Sequence, residues 1–163
     1  MQNGGQSGVR LRPSAPADLD FITTLERHPD NRGWIGQWSD AEHLAAIAGE
    51  GARSHWIIER DGERAGYLIA YDCRGAGADI YVKRILVKDK SRGTGRMALD
   101  AFVAKAFQGG ADAVWLIVRD TNARAQAMYR AVGFGRFEPA DASRYDSAAE
   151  PPAQGYFRMR RAR

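Results

Sequence analysis

The chain has 163 residues, of which 44% are hydrophobic and 27% are charged, a composition that fits one globular domain with a core of its own. The formal net charge is +4, and much of this excess comes from the last six residues, RMRRAR. A nucleic-acid-binding domain spreads its basic residues over a face with aromatic residues between them, so this charge argues against nucleic acid as a partner. A positive field would still attract an anionic cofactor.

Cysteine and histidine are scarce. Cys73 is the single cysteine, which excludes a disulfide within the chain and a cysteine-rich metal site. We expect it to be a small buried hydrophobe, and the lone thiol favours a reducing compartment. His28, His43 and His55 do not fall at metal-ligand spacings, so no metal is expected. The polar start MQNGGQSG and the absence of a long apolar run predict a cytoplasmic protein, monomer or homodimer, without a membrane partner.

The first elements are a short strand and a helix. Residues 1–8 are predicted to be a flexible tail, and Val9 to Arg12 alternates as a strand. Ser14 is predicted to cap a helix that carries Pro16 in its first turn. The apolar face of that helix is marked by Leu19, Ile22 and Leu25.

A break, a second helix and a hairpin follow. The segment HPDNRGWIGQW ends the first helix, and the capping box of Ser39 and Glu42 opens another helix that runs to Gly49. Asp61 and Gly62 then stand between two β-rich runs, the strongest short-range signal of a hairpin. A further turn, RGAGA, leads into DIYVKRILV, so three successive strands reverse direction.

Helices and strands alternate in the rest of the chain. A helix is predicted from about Thr94 to Phe107, then the strand AVWLIV, then a helix from Ala123 to Val132 ended by Gly133. A strand begins at Phe134, a long polar loop covers residues 138–155, and YFRMR forms the last strand. An antiparallel meander followed by two βα units predicts one α/β domain, residues 9–163, on a mixed sheet.

The stretch KDKSRGTGRMAL, Lys88 to Leu99, combines two glycines, a basic cluster and a helix start. Backbone N–H groups at such a turn, with the helix dipole behind them, hold phosphate. Gly93, Gly95 and Ala98 fit a dinucleotide fingerprint as well as a coenzyme A loop. For Lys90, Arg92 and Arg96 taken singly, a solvated basic edge is an equal alternative.

Three features argue against the dinucleotide interpretation. Lys88 to Arg92 separate the strand from the glycines, whereas the dinucleotide turn follows its strand almost at once. The upstream strands are antiparallel by their turns, and too little chain follows Asp120 for a second nucleotide-binding half. A P-loop is excluded because no Gly-Lys-Ser or Gly-Lys-Thr follows the glycines.

Two segments resemble a known superfamily. Lys90 to Gly95 resembles the Q/R-x-x-G-x-G/A motif of the GCN5-related N-acetyltransferases (GNAT). Asn122 to Phe134, NARAQAMYRAVGF, resembles their N-x-x-A-x-x-x-Y-x-x-x-G-F segment, and both stretches look most like the RimJ/RimL-like branch. The resemblance covers Val9 to Arg161 in element order. It implies a central mixed, mostly antiparallel sheet of about six or seven strands flanked by about four helices, with strands splayed at the acyl-CoA site.

The resemblance also implies functions for particular residues. Acetyl-CoA would be the cosubstrate, and the backbone of Ile85, Leu86 and Val87 would pair with its pantetheine amides and polarise the thioester carbonyl. Tyr129 would give a proton to the leaving thiolate, although a helical tyrosine is otherwise a common core residue. Asn122 would bind the cofactor, cap its helix, or do both. The phosphate-binding set would be Lys90, Arg92, Gly93, Thr94, Gly95, Arg96, Met97 and Ala98.

The base and the acceptor stay open at this point. Relatives in the branch carry a glutamate where Tyr81 stands here, so Asp79, Glu59 or a water chain is left to take the proton of an acceptor amine. Trp34 and Trp38 could line an acceptor pocket or belong to the core. The sequence predicts an N-acetyltransferase that acts by direct attack on a small-molecule amine or a protein N-terminus. The alternative is a non-catalytic acyl-CoA-binding module, which the missing glutamate favours.

Overall fold

A mixed sheet forms the centre of the fold. The computed structural model describes residues 8–75, 77–139 and 154–163, and within them the sheet has seven strands in the order β1-β2-β3-β4-β5-β7-β6. The strands are β1 (Val9–Pro13), β2 (Arg53–Arg60), β3 (Glu63–Gly75), β4 (Gly77–Val87), β5 (Ala113–Arg119), β6 (Gly135–Arg136) and β7 (Tyr156–Ala162). Residues 1–7 of the predicted tail and most of the predicted loop at 138–155 lie outside the described residues, as does the side chain of Cys73.

Five α-helices are described. They are α1 (Leu19–Arg27), the single turn α2 (Pro29–Arg32), α3 (Asp40–Ile47), α4 (Thr94–Gln108) and α5 (Ala123–Ala131), with 3₁₀ turns at Pro16–Asp18 and Glu50–Ala52. The predicted α/β fold on a mixed sheet, with strands splayed at its centre, is confirmed.

The two faces of the sheet carry different helices. Successive residues of a strand point to opposite faces, so neighbouring residues of β3 and β4 enter different cores. On one face Ile22 and Leu25 of α1 pack on Ile57 and Tyr67. On the other face α4 and α5 pack on the sheet through a larger hydrophobic cluster. Its fully buried members include Leu68, Leu99, Val103, Val114, Leu116 and Met159.

A gap opens between β4 and β5. The two strands are parallel and pair only from Asp79 opposite Ala113 to Tyr81 opposite Trp115. Beyond these pairs β4 continues to Val87 and stays paired with β3 on its other edge. Because β5 no longer pairs with it there, one edge of the second half of β4 faces open space.

The chain start differs from the sequence prediction in one respect. Ser14 does not cap a helix, because its hydroxyl lies 2.7 Å from His55 Nδ1 and the 3₁₀ turn begins after Ala15. The Ser39 cap is confirmed, since its hydroxyl accepts the Glu42 N–H at 3.2 Å. The hairpin at Asp61 is also confirmed, and both turn residues there adopt positive φ.

Candidate active site in the gap between two strands

A groove of about 1320 Å³ passes through the gap between β4 and β5. One end of it lies on the α4 and α5 face, where Gly93, Gly95 and Tyr129 line it. The other end lies on the α1 to α3 face, where Trp34 and Arg119 line it. We call these the phosphate end and the acceptor end. Of the predicted site residues, the groove is lined by Ile85, Leu86, Val87, Lys90, Gly93, Gly95, Arg96, Asn122 and Tyr129.

The phosphate end is built from backbone donors. Gly93 precedes α4 with φ 73°, a conformation that favours glycine. The N–H of Met97 donates to Gly93 O at 3.1 Å, whereas those of Thr94, Gly95 and Arg96 come too early in α4 to have an acceptor within it. Three N–H groups at the positive end of a helix of fifteen residues are suited to binding an anion.

Two side chains hold the loop before α4. Asp89 Oδ1 accepts the Ser91 N–H at 3.0 Å and its hydroxyl at 2.8 Å, which closes a local turn. Arg60, at the end of β2, donates to Arg92 O at 2.7 Å and to the buried Thr94 hydroxyl at 2.8 Å. Sequence reasoning missed Arg60, because nothing near it in the chain indicates a contact with a loop thirty residues away.

The basic residues of the loop divide between two tasks. Arg96 lines the groove with Arg124, while Arg92 lines an adjoining depression of about 890 Å³. Lys90 lines both, and its ammonium donates to Asn31 Oδ1 and to Asp30 O, so it also ties the loop to α2. Burial lowers the pKa of Lys90 from its ordinary value.

Four residues of the predicted phosphate set do not line the groove, namely Arg92, which lines the adjoining depression, and Thr94, Met97 and Ala98. Ala98 is 0% exposed and belongs to the buried core. Met97 is exposed, and its N–H is already bonded within α4. The Thr94 side chain turns to Arg60, which leaves its backbone N–H as the group that can serve a ligand.

The helix α5 brings Asn122 and Tyr129 to the groove. Asn122 Oδ1 accepts the Ala125 N–H at 3.2 Å, so the residue does cap the helix, and its amide nitrogen stays available. The Tyr129 ring packs beside Phe134, and its hydroxyl has no hydrogen-bond partner among the described residues. Burial raises the pKa of Tyr129 to about 12. The hydroxyl therefore keeps its proton at neutral pH and can donate it into the groove.

A buried polar network supports the acceptor end. Glu26 of α1 is 0% exposed, and its Oε2 lies 2.7 Å from His43 Nε2, 3.0 Å from the Tyr67 hydroxyl and 2.9 Å from Arg84 NH1. Desolvation acts to raise the pKa of Glu26, but the hydrogen bond of His43, the N–H of Trp38 and the Arg84 charge outweigh it, so this pKa lies below its usual value. The network thus holds a charged carboxylate beneath a groove-lining arginine.

The network continues through two histidines to β1. His43 Nδ1 lies 3.3 Å from His55 Nε2, and His55 Nδ1 in turn lies 2.7 Å from the Ser14 hydroxyl. Burial first, and then the neighbouring His43 and Arg84, lower the pKa of His55 to about 3. His55 is therefore a neutral, hydrogen-bonded core residue.

A shift of register in β4 turns Arg84 toward this network. Ile69 pairs with Arg84 and Ala70 with Val82, so Lys83 is an extra residue on β4. Without the bulge, Tyr81 and Arg84 would point to opposite faces, but here Tyr81 packs on Trp115 and Arg84 contacts Glu26, both on the α1 to α3 face. Sequence alternation could not place Arg84, because the bulge has no local signature in the chain.

Neither carboxylate considered as the base lines the groove. Asp79 is buried at the paired start of β4, where Arg160 NH2 lies 3.7 Å from it. Glu59 is on β2, with Arg12 Nε at 2.7 Å and Arg10 NH2 at 3.0 Å. The single acidic side chain among the described lining residues is Asp30, which lies beside Lys90.

The described residues include no cluster of three or more histidine, cysteine, aspartate or glutamate side chains that could hold a metal ion. None of their helices is long and apolar enough to cross a membrane.

Solved structures share this fold at low sequence identity. An acetyltransferase from Thermus thermophilus is 20% identical, with a TM-score of 0.73 over 96% of this chain and 97% of that chain. The aminoglycoside acetyltransferase AAC(6')-Ib with coenzyme A is 19% identical, with a TM-score of 0.76 over 96% and 95%. A spermidine N-acetyltransferase from Vibrio cholerae with CoA and spermine is 16% identical, with a TM-score of 0.75 over 96% of each chain. No curated protein matches the chain.

A protein-family model matches the sequence of this chain as well. The model described as the acetyltransferase (GNAT) family covers residues 19–134, more than half of the chain. That range contains the loop before α4, the gap between β4 and β5 and the helix that carries Asn122 and Tyr129. The chain belongs to the GNAT acetyltransferase family.

Proposed function

We propose that the chain is an acetyl-CoA-dependent N-acetyltransferase that moves an acetyl group to a primary amine by direct attack in a ternary complex. The observation that carries this proposal is the continuous groove, which joins a phosphate-type helix start on one sheet face to an aromatic and basic end on the other. A donor and an acceptor entering from opposite faces would meet in the gap without a covalent enzyme intermediate. Family membership and acetyltransferase neighbours that hold coenzyme A support acetyl-CoA as the cosubstrate.

The phosphate end would hold the cofactor's pyrophosphate. The free N–H groups of Thr94, Gly95 and Arg96 supply convergent donors, and Lys90 and Arg96 add positive charge. Where β5 diverges, alternate N–H and C=O groups from Ile85 to Val87 have no strand partner on that edge and would pair with the pantetheine amides. An N–H there would also stabilise negative charge on the thioester oxygen.

Tyr129 would protonate the leaving group. As the amine nitrogen bonds to the carbonyl carbon, the carbon–sulfur bond breaks and sulfur leaves as a thiolate. The Tyr129 hydroxyl, protonated and without a described partner, would give its proton to that sulfur and recover one from the acylated nitrogen through water. Because Asp79 and Glu59 are paired outside the groove, water is the base that we propose for the amine.

The main alternative is a module that binds acyl-CoA without turning it over. It is favoured by Tyr81, which stands on β4 where the branch carries a glutamate and is stacked on Trp115 at 4.3 Å. Membership of the RimJ/RimL-like branch is a proposal that rests on the two motif segments. A cytoplasmic location is a proposal that rests on the single cysteine.

The test measures binding and turnover separately. Calorimetry with acetyl-CoA is expected to give one site per chain, and acetyl-CoA but not NAD should raise the unfolding temperature. Release of the CoA thiol is then followed over a panel of amines: amino acids, their amides, a short peptide and spermidine. Amine-dependent release with an acetylated product supports the transferase. Binding without release for every amine supports the sensing module, and no binding of acetyl-CoA contradicts both.

A further inference from the structure

Arg119 is a positive charge fixed at the acceptor end of the groove. It is the last residue of β5, and its position alternates onto the α1 to α3 face with Trp115 and Ile117. Its guanidinium carbon lies 5.3 Å from the Trp34 ring centroid and 5.4 Å from that of Tyr156. These two rings hold the guanidinium plane in place before any ligand arrives.

The hydrogen bonds of Arg119 leave part of it unused. Its Nε and NH2 donate to the Tyr156 hydroxyl at 3.1 and 2.9 Å, and its NH1 donates to Gly33 O at 3.4 Å. A guanidinium has about five N–H donors, so about two remain for a ligand. No carboxylate of the described residues lies within ion-pair distance of Arg119, and the side chain is half-buried.

The other charges around the acceptor end are already balanced or lie elsewhere. Arg84 lines the groove but is paired with the buried Glu26. Asp30 of α2 is the one acidic side chain among the described lining residues; its carboxylate lies 3.6 Å from His28 Nδ1, and its backbone carbonyl accepts from Lys90. Lys83 also lines the groove but is exposed, so Arg119 is the half-buried cation of the acceptor end that has no ion-pair partner among the described residues. Around it the groove is aromatic, with Trp34, Trp38, Tyr81 and Tyr156 in its lining.

This combination selects one kind of amine. A half-buried guanidinium with free N–H groups binds carboxylates through charge-assisted hydrogen bonds, and it repels a second cationic group on an acceptor. Resting on the proposed function, we propose that the acceptor is a small amine that also carries a carboxylate, and that Arg119 binds that carboxylate. The aromatic lining favours an acceptor with an apolar or aromatic side chain.

The first experiment compares matched acceptors on the full chain. L-Phenylalanine, L-phenylalaninamide and spermidine are assayed for CoA release over a range of pH, so that the ionisation of each amine is factored out. We expect kcat/KM for phenylalanine to exceed that for its amide by about 30-fold, the size of one charge-assisted hydrogen bond of about 2 kcal/mol. 3-Phenylpropionate, which has the carboxylate and no amine, should compete with the amine, and 3-phenylpropionamide should not.

The second experiment removes the charge. In Arg119→Met, kcat/KM for phenylalanine should fall to the value for the amide through a rise in KM, while KM for acetyl-CoA stays unchanged. Arg119→Lys keeps the positive charge but not the paired N–H donors of the guanidinium, and it should keep part of the preference for phenylalanine over its amide. Arg10→Met, at the surface on β1, is the matched control and should change neither constant. Thermal unfolding checks that each variant is folded.

The outcomes separate this inference from the proposed function. If kcat/KM for spermidine or for the amide equals that for phenylalanine, the proposed transferase activity is supported and the carboxylate inference is wrong. If Arg119→Met raises KM for acetyl-CoA instead, Arg119 serves the cofactor and the inference is again wrong. Failure of the wild-type chain to bind acetyl-CoA, together with no turnover of any amine, would contradict the proposed function as well.

Discussion

The two ends of the groove are built in different ways. The phosphate end comes from one run of consecutive residues, Lys88 to Gly95, in which a glycine at positive φ leads into free backbone N–H groups. The acceptor end is assembled from side chains of β4, β5, β7 and the segment between α2 and α3, which are far apart in the chain. A site made of local backbone geometry has a sequence motif, and a site made of long-range side-chain contacts has none.

The difference extends to how each end is supported. Backbone donors at a helix start need no buried charge behind them, because the helix itself orients them. Arg84 instead depends on the carboxylate of Glu26, which depends in turn on His43 and Tyr67. We therefore expect mutations in the buried network to act first on stability and mutations in the loop to act first on cofactor binding.

The largest effect is expected for Glu26→Gln. The change removes the charge that neutralises Arg84 and sets an amide N–H₂ against its present donors, so the unfolding free energy should fall by about 4 kcal/mol. Asp40→Asn is the matched control, since its pair with Arg27 is exposed on both sides and should contribute less than about 1 kcal/mol. Urea denaturation measures both. Equal losses of unfolding free energy in the two variants would mean that the buried network stabilises the fold no more than the exposed ion pair does.

The next effect tests the phosphate end. Gly93→Val places a β-branched residue at φ 73° and directs it into the groove, and we expect acetyl-CoA affinity to drop by at least about 100-fold. Gly110→Val is the matched control, because Gly110 has φ 96°, has open space around it and does not line the groove. Calorimetry should show normal binding for the control. If both variants bind equally poorly, backbone strain alone explains the loss.

Tyr129→Phe should separate chemistry from binding. General acid catalysis contributes at least about 100-fold, so kcat should fall by about that factor while acetyl-CoA binding stays within about twofold. Tyr71→Phe, another partly buried tyrosine, does not line the groove and should leave kcat unchanged. Stopped-flow measurement of thiol release gives the rate. An unchanged kcat in Tyr129→Phe would remove this residue from the reaction.

Particular residues show how far the sequence alone could go. Gly93 and Asn122 sit in motifs with fixed spacing, and both line the groove. Arg119, Arg60 and Glu26 were not predicted, because each acts through partners that are distant in sequence: Tyr156, Thr94 and Arg84. The prediction that Ser14 caps a helix was wrong, because its hydroxyl forms a buried hydrogen bond with His55 instead. Tertiary contacts determine the roles of such residues, and these contacts cannot be predicted from local sequence patterns or from composition.

The smallest effect, taken over the two pH units from 7 to 5, concerns pH and bears on the network again. His55 has a pKa of about 3 when folded and about 6.5 when unfolded, so between these values the unfolded chain binds a proton that the folded chain does not. Stability is therefore fully present above about pH 6.5 and is lost as pH falls, by at most about 1.4 kcal/mol per pH unit. Asp18, whose pKa the Arg12 hydrogen bond lowers to about 2, adds its own loss only below about pH 4.

His55→Gln isolates this contribution, because glutamine does not titrate. Urea denaturation at pH 7, 6 and 5 should give wild-type protein a falling unfolding free energy and the variant a flat one, whatever its stability at pH 7. His28→Gln is the matched control, since His28 is exposed and lies outside the buried network, and it should keep the wild-type slope. If His55→Gln keeps that slope too, the proton enters elsewhere. The acid sensitivity then does not belong to His55, and the two ends of the groove differ less than their architecture implies.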